Sequence, residues 1–301
     1  MPMTSAVRIV HITDSHHRVG HPQLARAVET INSLDRPVDL VVHGGDVING
    51  YAEPDEMHRQ AAEASEILSR LTAPLMVTCC NHDTHGEPVR GTIFAEHFHD
   101  RWVQEFRKDG VYVLAISGNV DDPTGLELTD DEREDRPYRI GRPWSVRLLR
   151  QRLSSQDGLP KLVFTHKPVV PLRGELIPED PEGKSVSFDF SKYAHKPAPR
   201  EQLMRVFREC GVVAHYAGHV HLNAHVEEGG LHYVATSATQ SFPGEVRLIE
   251  VFEDRIEHHM IEVPGGPDLW VRWRNATDRD HPTVREFYYG NPDERDFTIR
   301  L

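Results

Sequence analysis

Five short polar clusters hold residue types that bind divalent metal ions: Asp14 and His16 in DSH, Asp46 in GGD, Asn81 and His82 in NHD, His166 in THKP, and His219 and His221 in GHVH. Imidazole nitrogens, carboxylates and an amide oxygen make a donor set that suits two divalent transition metals, with one carboxylate able to bridge them. Asp14 and His16 are two apart, so both can reach one ion from a bent loop, and His219 and His221 repeat that spacing around Val220. Gly45 and Gly218 directly precede Asp46 and His219, where a backbone without a side chain can turn sharply and approach an ion closely. No thiolate is required. The three cysteines, Cys79, Cys80 and Cys210, offer neither a disulfide framework nor a Cys-x-x-Cys pair.

Each cluster sits behind an apolar run. Residues 7–13, 38–43, 74–78, 111–116, 162–165, 212–217, 231–236, 246–252 and 255–263 read as strands. Leu24, Val28, Ile31 and Leu34, and then Ala61, Ala64, Ile67, Leu68 and Leu71, recur at helical spacing, and further helices are predicted at 144–153 and 201–209. Strand and helix in alternation predict a layered α/β fold. In such sheets ligand sites gather beyond the carboxyl ends of the strands, so five loops separated by up to about two hundred residues can converge. The acidic, turn-rich stretch 119–143 reads as a solvated loop without a catalytic role.

The 301 residues divide into a domain over 1–263, with a Pro- and Gly-rich insertion at about 168–199 that is expected as a lid, and an extension over 264–301. The extension carries Trp270, Trp273, Phe287, Tyr288 and Tyr289, and is expected to pack on the core, to wall the pocket, or to form the arm of a homodimer. A net charge of -13 argues against a nucleic-acid polymer as partner, since phosphate backbones are attracted by a basic footprint. No run approaches the roughly 18 apolar residues of a membrane span. The N-terminus lacks an apolar leader, so the expected location is cytoplasmic.

D-x-H, G-D, N-H-D, a lone H and G-H-x-H, in that order over about residues 7–263, resemble the signature blocks of the calcineurin-like metallophosphoesterases, nearest to the class III cyclic-nucleotide phosphodiesterases. The resemblance implies a four-layer αββα sandwich of two mixed sheets. It also implies one ion on Asp14, His16 and His221, a second on Asn81, His166 and His219, and Asp46 as the bridge. The ions would be Mn, Fe or Zn. His82 would be catalytic, beside Asn81, stabilising charge on the phosphate or protonating the leaving alkoxide. A hydroxide bridging the ions would attack phosphorus in a small phosphate ester, a diester of the cyclic-nucleotide type first and a phosphomonoester as the alternative. Two dications against two carboxylates leave the pocket locally cationic although the surface is acidic. A non-catalytic scaffold of the same fold is the reading from another class, but every counted donor position is filled. The protein Ser/Thr phosphatase branch is disfavoured, because its G-D-x-V-D-R-G and G-N-H-E stand here as GGDVING and CNHD. Cys80 stands where the family usually has glycine, which would narrow the pocket floor or shift Asn81; Asp83 is expected to orient His82 or close its loop.

Overall fold

The computed structural model describes residues 7–84, 91–101, 103–118, 143–156, 158–176, 188–195, 197–270 and 282–301. In chain order the strands are β1 (Val7–Ile12), β2 (Leu40–His43), β3 (Leu75–Val77), β4 (Val103–Lys108), β5 (Val111–Ile116), β6 (Lys161–Thr165), β7 (Glu175–Leu176), β8 (Phe188–Asp189), β9 (Val212–Ala217), β10 (Ala224–Glu228), β11 (Leu231–Ala235), β12 (Glu245–Val251), β13 (Arg255–Glu262) and β14 (Phe297–Arg300). The α-helices are α1 (Gln23–Asn32), α2 (Pro54–Leu68), α3 (Asn81–Thr84), α4 (Thr92–His97), α5 (Pro143–Ser154), α6 (Pro197–Glu209), α7 (Pro282–Tyr289) and α8 (Pro292–Arg295).

Alternation along single strands explains the layers. A strand points successive side chains to opposite faces. In β1, Val7 and Ile9 join one hydrophobic cluster while Val10 and Ile12 join another; in β5, Val111, Val113 and Ala115 separate in the same way from Tyr112, Leu114 and Ile116. The cluster shared by Val7, Ile9, Val113, Phe164 and Tyr216 lies between two sheets. The other carries the helix residues Leu24, Val28, Ala61 and Ala64, and Leu149, Leu203 and Phe207, against the outer strand faces.

The two six-stranded sheets have the orders β14-β13-β12-β1-β2-β3 and β10-β11-β9-β6-β5-β4. Both are mixed: β1, β2 and β3 run parallel while β12, β13 and β14 alternate, and β5, β6, β9 and β11 run parallel between antiparallel edges. This is the expected layered sandwich of two mixed sheets. The predicted helices start earlier than their apolar spacing suggested, at Pro143 and Pro197, where proline's missing N–H costs a first helical turn nothing. Strands β4, β7, β8, β10 and β14 were not anticipated, because they are short or hold few apolar residues.

The C-terminal segment is built into the domain. β14 adds an edge strand to β13, while Val284 and Tyr288 of α7 are buried in the core. Two ion pairs, Arg295 with Glu245 and Arg173 with Glu294, fasten α8. Val169, Val170 and Leu172 of the 168–199 insertion are also buried, as is His195. Residues 177–187 of that insertion, and the acidic stretch at 119–142, lie outside the described residues. Among the described residues no helix is long and apolar enough to cross a membrane.

Candidate metal centre

The five polar loops follow β1, β2, β3, β6 and β9, and the structure brings their residues together where these parallel strands end. Backbone hydrogen bonds fasten the loops in pairs. The Asp14 N–H donates to the Gly45 carbonyl (3.0 Å), His16 N–H to the Asp46 carbonyl (2.9 Å), and Gly218 N–H to the His166 carbonyl (3.0 Å). Five candidate ligands have left-handed backbone: Asp14 (φ 51°), His16 (37°), Asp46 (51°), His219 (69°) and His221 (60°). Such conformations are costly outside glycine and collect at functional sites. Glycine is needed beside them for space as well. A Cβ on Gly218 would be driven into Thr13 Oγ1 and Asp14 Oδ2, and one on Gly45 would lie 2.6 Å from Cys80 Sγ.

Two groups of donor atoms result, each lying within 4.8 Å of one another: Asp14, His16, Asp46 and His221, and Asp46, His166 and His219. Asp46 is common to both. Its Oδ2 lies 3.1 Å from His166 Nε2 and 3.8 Å from His16 Nε2. Asp14 Oδ1 lies 3.0 Å from His221 Nε2 and 3.6 Å from His16 Nε2. Asn81, the remaining candidate, opens α3 between Cys80 and His82, both of which touch Asp46. His82 is held from two sides. Its Nδ1 donates to the Asn49 carbonyl (2.6 Å), and its ring meets His16 and Tyr51 edge-on with centroids 4.3 and 4.5 Å apart. Its Nε2 is 4.0 Å from Asp46 Oδ2.

This arrangement is starved of positive charge, and that is the test of whether ions fit it. Burial disfavours an ionised Asp14, yet the His221 and His166 imidazoles hold its carboxyl well below the usual carboxylate range. Burial likewise opposes charge on Asp46, and His166, His82 and His16 overcome it. His166 itself is pushed up to about 9: its burial would lower it, but Asp46 and Asp14 prevail. Asp14 Oδ1, fully buried, faces the ring nitrogens of His221, His16 and His166 together. Ring nitrogens face each other across the centre, His16 Nε2 to His221 Nε2 at 3.0 Å and His219 Nδ1 to His166 Nε2 at 3.1 Å. A proton can serve such nitrogens only one pair at a time, whereas a cation accepts all their lone pairs together. The residues present therefore fit divalent ions.

Asp83 and Cys80 set the pose of Asp46. Asp83 Oδ1 accepts the N–H groups of Val47 (2.8 Å) and Ile48 (3.1 Å), and its Oδ2 those of Cys80 (3.0 Å) and Asp46 (3.1 Å). The expected loop-closing role is thus exercised on the Asp46 loop. Cys80 Sγ donates to Asp46 Oδ1 at 2.7 Å. Burial, followed by the charges of Asp46 and Asp83, pushes this thiol well above its usual range, so it remains a donor. Neither contact had a sequence signal beyond adjacency to NHD. His17 and His43 stay outside the donor groups: His17 turns towards Glu63 (3.5 Å), and His43 Nε2 meets Ser15 Oγ (2.9 Å). His85 lies outside the described residues.

Beside the centre is a cavity of about 580 Å³ whose lining includes His16, His82 and His221 together with Arg18, His21, Asn49 and Trp270. Arg18 could have been suspected from its place two residues behind His16. Trp270 belongs to the aromatic extension, for which a pocket wall is one of the expected roles.

A sequence profile of the calcineurin-like phosphoesterases matches residues 7–223. The chain is 26% identical over 246 residues to a Danio rerio protein named serine/threonine-protein phosphatase CPPED1, across 77% of this chain and 71% of that one. The crystal structure of a dimetal phosphatase from Danio rerio superposes with a TM-score of 0.60 at 13% identity, covering 86% of this chain and 96% of that one. GAP50, described as the anchor in the inner membrane complex of Plasmodium, superposes at 0.56 with 11% identity, covering 87% and 86%. The latter two are likenesses of fold. The profile match spans well over half of the sequence and includes all five polar loops: the chain is a metal-dependent phosphoesterase and belongs to the calcineurin-like phosphoesterase family.

Proposed function

We propose that this chain hydrolyses small phosphomonoesters, with one divalent ion on Asp14, His16 and His221, a second on Asn81, His166 and His219, and Asp46 between them. The observation that carries the reading is the membership of Asp46 in both donor groups. Ions held in this way supply a nucleophile from water at neutral pH and neutralise charge on the phosphoryl oxygens. Mn, Fe or Zn suits these nitrogen and oxygen donors.

The chain's own residues complete the chemistry. His82, whose Nδ1 is committed to the Asn49 carbonyl, lines the cavity, and its Nε2 would pass a proton to the departing oxygen. Its rings of contact with His16 and Tyr51 hold that geometry. Arg18 and His21 offer positive charge or N–H donors on the wall. A monoester dianion gains more from them than a diester monoanion does, and this favours the monoester over the cyclic-nucleotide diester suggested by the nearest resemblance. The relative named as a protein phosphatase keeps phosphoserine in view as the esterified group, even though the G-D-x-V-D-R-G pattern is absent. Because an anchor protein shares the fold, the filled donor set is what argues against a scaffold. The three cysteines are buried and form no disulfide among the described residues, which is compatible with a reducing cytoplasm.

The test is turnover of p-nitrophenyl phosphate against bis(p-nitrophenyl) phosphate, 2',3'- and 3',5'-cyclic nucleotides and a phosphoserine peptide by metal-reconstituted protein, with His82→Ala as control. Preference for the monoester and its loss in the control are expected. A preference for diesters would transfer the assignment to the second reading, and no turnover with ions bound would favour the scaffold.

A further inference from the structure

We infer that residues 268–270, beyond the part of the chain matched by the family profile, form a specificity wall, and that Trp270 stacks on a planar aromatic or heteroaromatic ring of the substrate. The inference rests on the phosphomonoesterase reading for its chemistry at phosphorus. Asp268, Leu269 and Trp270 line the same cavity as His16, His82 and His221. Trp270 keeps 44% of its surface exposed. A lone exposed apolar residue is ordinary; one at the mouth of a phosphoesterase cavity, with an orphaned hydroxyl beside it, is not.

That hydroxyl belongs to Ser241. The residue is 7% exposed, its Oγ has no hydrogen-bond partner among the described residues, and it lines the cavity together with Gln240. A buried polar group left unpaired is costly, and a ligand that pairs with it recovers the loss. The lining therefore offers an aromatic face, an aliphatic edge at Leu269, an unpaired hydroxyl, a carboxamide and the carboxylate of Asp268. Together these match a flat ring with polar groups at its rim. A flat ring covers an aromatic face more fully than a plain sugar or polyol does.

The wall is pre-formed, so little is lost in ordering it on binding. Phe242 N–H donates to the Trp270 carbonyl (3.1 Å), and Leu269 N–H to the Gly266 carbonyl (3.0 Å). Arg285 donates to the Pro267 carbonyl (2.8 Å) and lays its guanidinium over the Phe242 ring at 4.0 Å. α7 thereby braces the turn from behind.

Adenosine 5'-monophosphate and ribose 5-phosphate share their phosphate and sugar and differ in the ring. The metal-loaded protein should favour the nucleotide in kcat/KM, by about tenfold if stacking has its usual worth. Trp270→Ala should bring the ratio close to one, Trp270→Phe should keep most of it, and Ser241→Ala should lower it further than its own small volume change warrants. A ratio unchanged in Trp270→Ala overturns the inference. If neither ester is hydrolysed, the reading of the reaction fails and the wall is still decided by calorimetry with adenosine and ribose, which carry no phosphate. Adenosine binding that Trp270→Ala weakens about tenfold upholds the wall, whereas equal binding by the two proteins, or none by either, refutes it.

Discussion

Replacing Asp83 by asparagine is the most direct probe of how the centre is held. Both carboxylate oxygens are engaged by backbone N–H groups, two on each. In Asp83→Asn one oxygen becomes an NH2, so whichever way the amide lies, two buried donors confront a third. Hydrogen bonds to a charged acceptor contribute about 1.5–3 kcal/mol each, which sets the gross loss at about 3–6 kcal/mol. An opposing effect reduces it. Burial and then the Asp46 charge push Asp83 up to about 7, so the neutral amide escapes part of that repulsion. Ions on Asp46 would remove most of the repulsion, and in the metal-loaded protein the net loss should therefore be about 3 kcal/mol, a large share of a typical stability of about 5–15 kcal/mol. Urea unfolding at pH 8, with and without chelator, measures it, and the loss should be smaller in chelated protein. Turnover should fall too, since the amides being released are those of Asp46, Val47 and Ile48. A variant within about 1 kcal/mol of the parent and fully active would refute the view that Asp83 holds the Asp46 loop.

Asp46→Asn should lower kcat by at least about a hundredfold and the bound-metal content measured by atomic emission should drop below two ions per chain; full metal content with normal turnover would break the bridging assignment. Chelation should lower the melting temperature and readdition of Mn should restore it, a gain in stability of about 3–4 kcal/mol with free metal at about 100–1,000 times its Kd. Cys80→Ala should reduce kcat/KM several-fold while Cys80→Ser, whose hydroxyl can still donate to Asp46 Oδ1, retains it; equal effects would deny the thiol its positioning role. His215 is fully buried and bonded to Thr165 Oγ1 at 2.8 Å, and burial lowers its pKa to about 3. Because that value is depressed in the fold, its neutral form favours folding above about pH 6.5, and this contribution is lost as pH falls towards 3. The stability of the parent minus that of His215→Phe should decline by roughly 1 kcal/mol per pH unit between pH 6 and 4; parallel curves would refute it.

The candidate donor residues were legible because each follows a strand whose apolar pattern is plain, and because fitness as a ligand is a matter of side-chain type. Asp14, Asp46 and His166 needed only the rule that sites lie beyond strand ends. The fastenings around them were less visible. Cys80 meets Asp46 across 34 residues, and Asp83 works through backbone N–H groups that no sequence pattern displays. The C-terminal residues were harder still. Phe297 pairs opposite His258 in an edge strand of four residues, too short for periodicity to register. Trp270 reaches the cavity only because the turn after β13 doubles back, a long-range outcome that aromatic content alone does not specify.

The left-handed backbone at Asp14, His16, Asp46, His219 and His221 has a consequence for engineering. Glycine at any one of them would relax the chain by about 1 kcal/mol or more. A laboratory selection for heat resistance carried out on metal-depleted protein would therefore be rewarded for erasing these candidate ligands, and would drift towards a sturdier, inert protein. Thermal screens of this enzyme should be paired with a turnover screen from the first round, or restricted to positions away from these five.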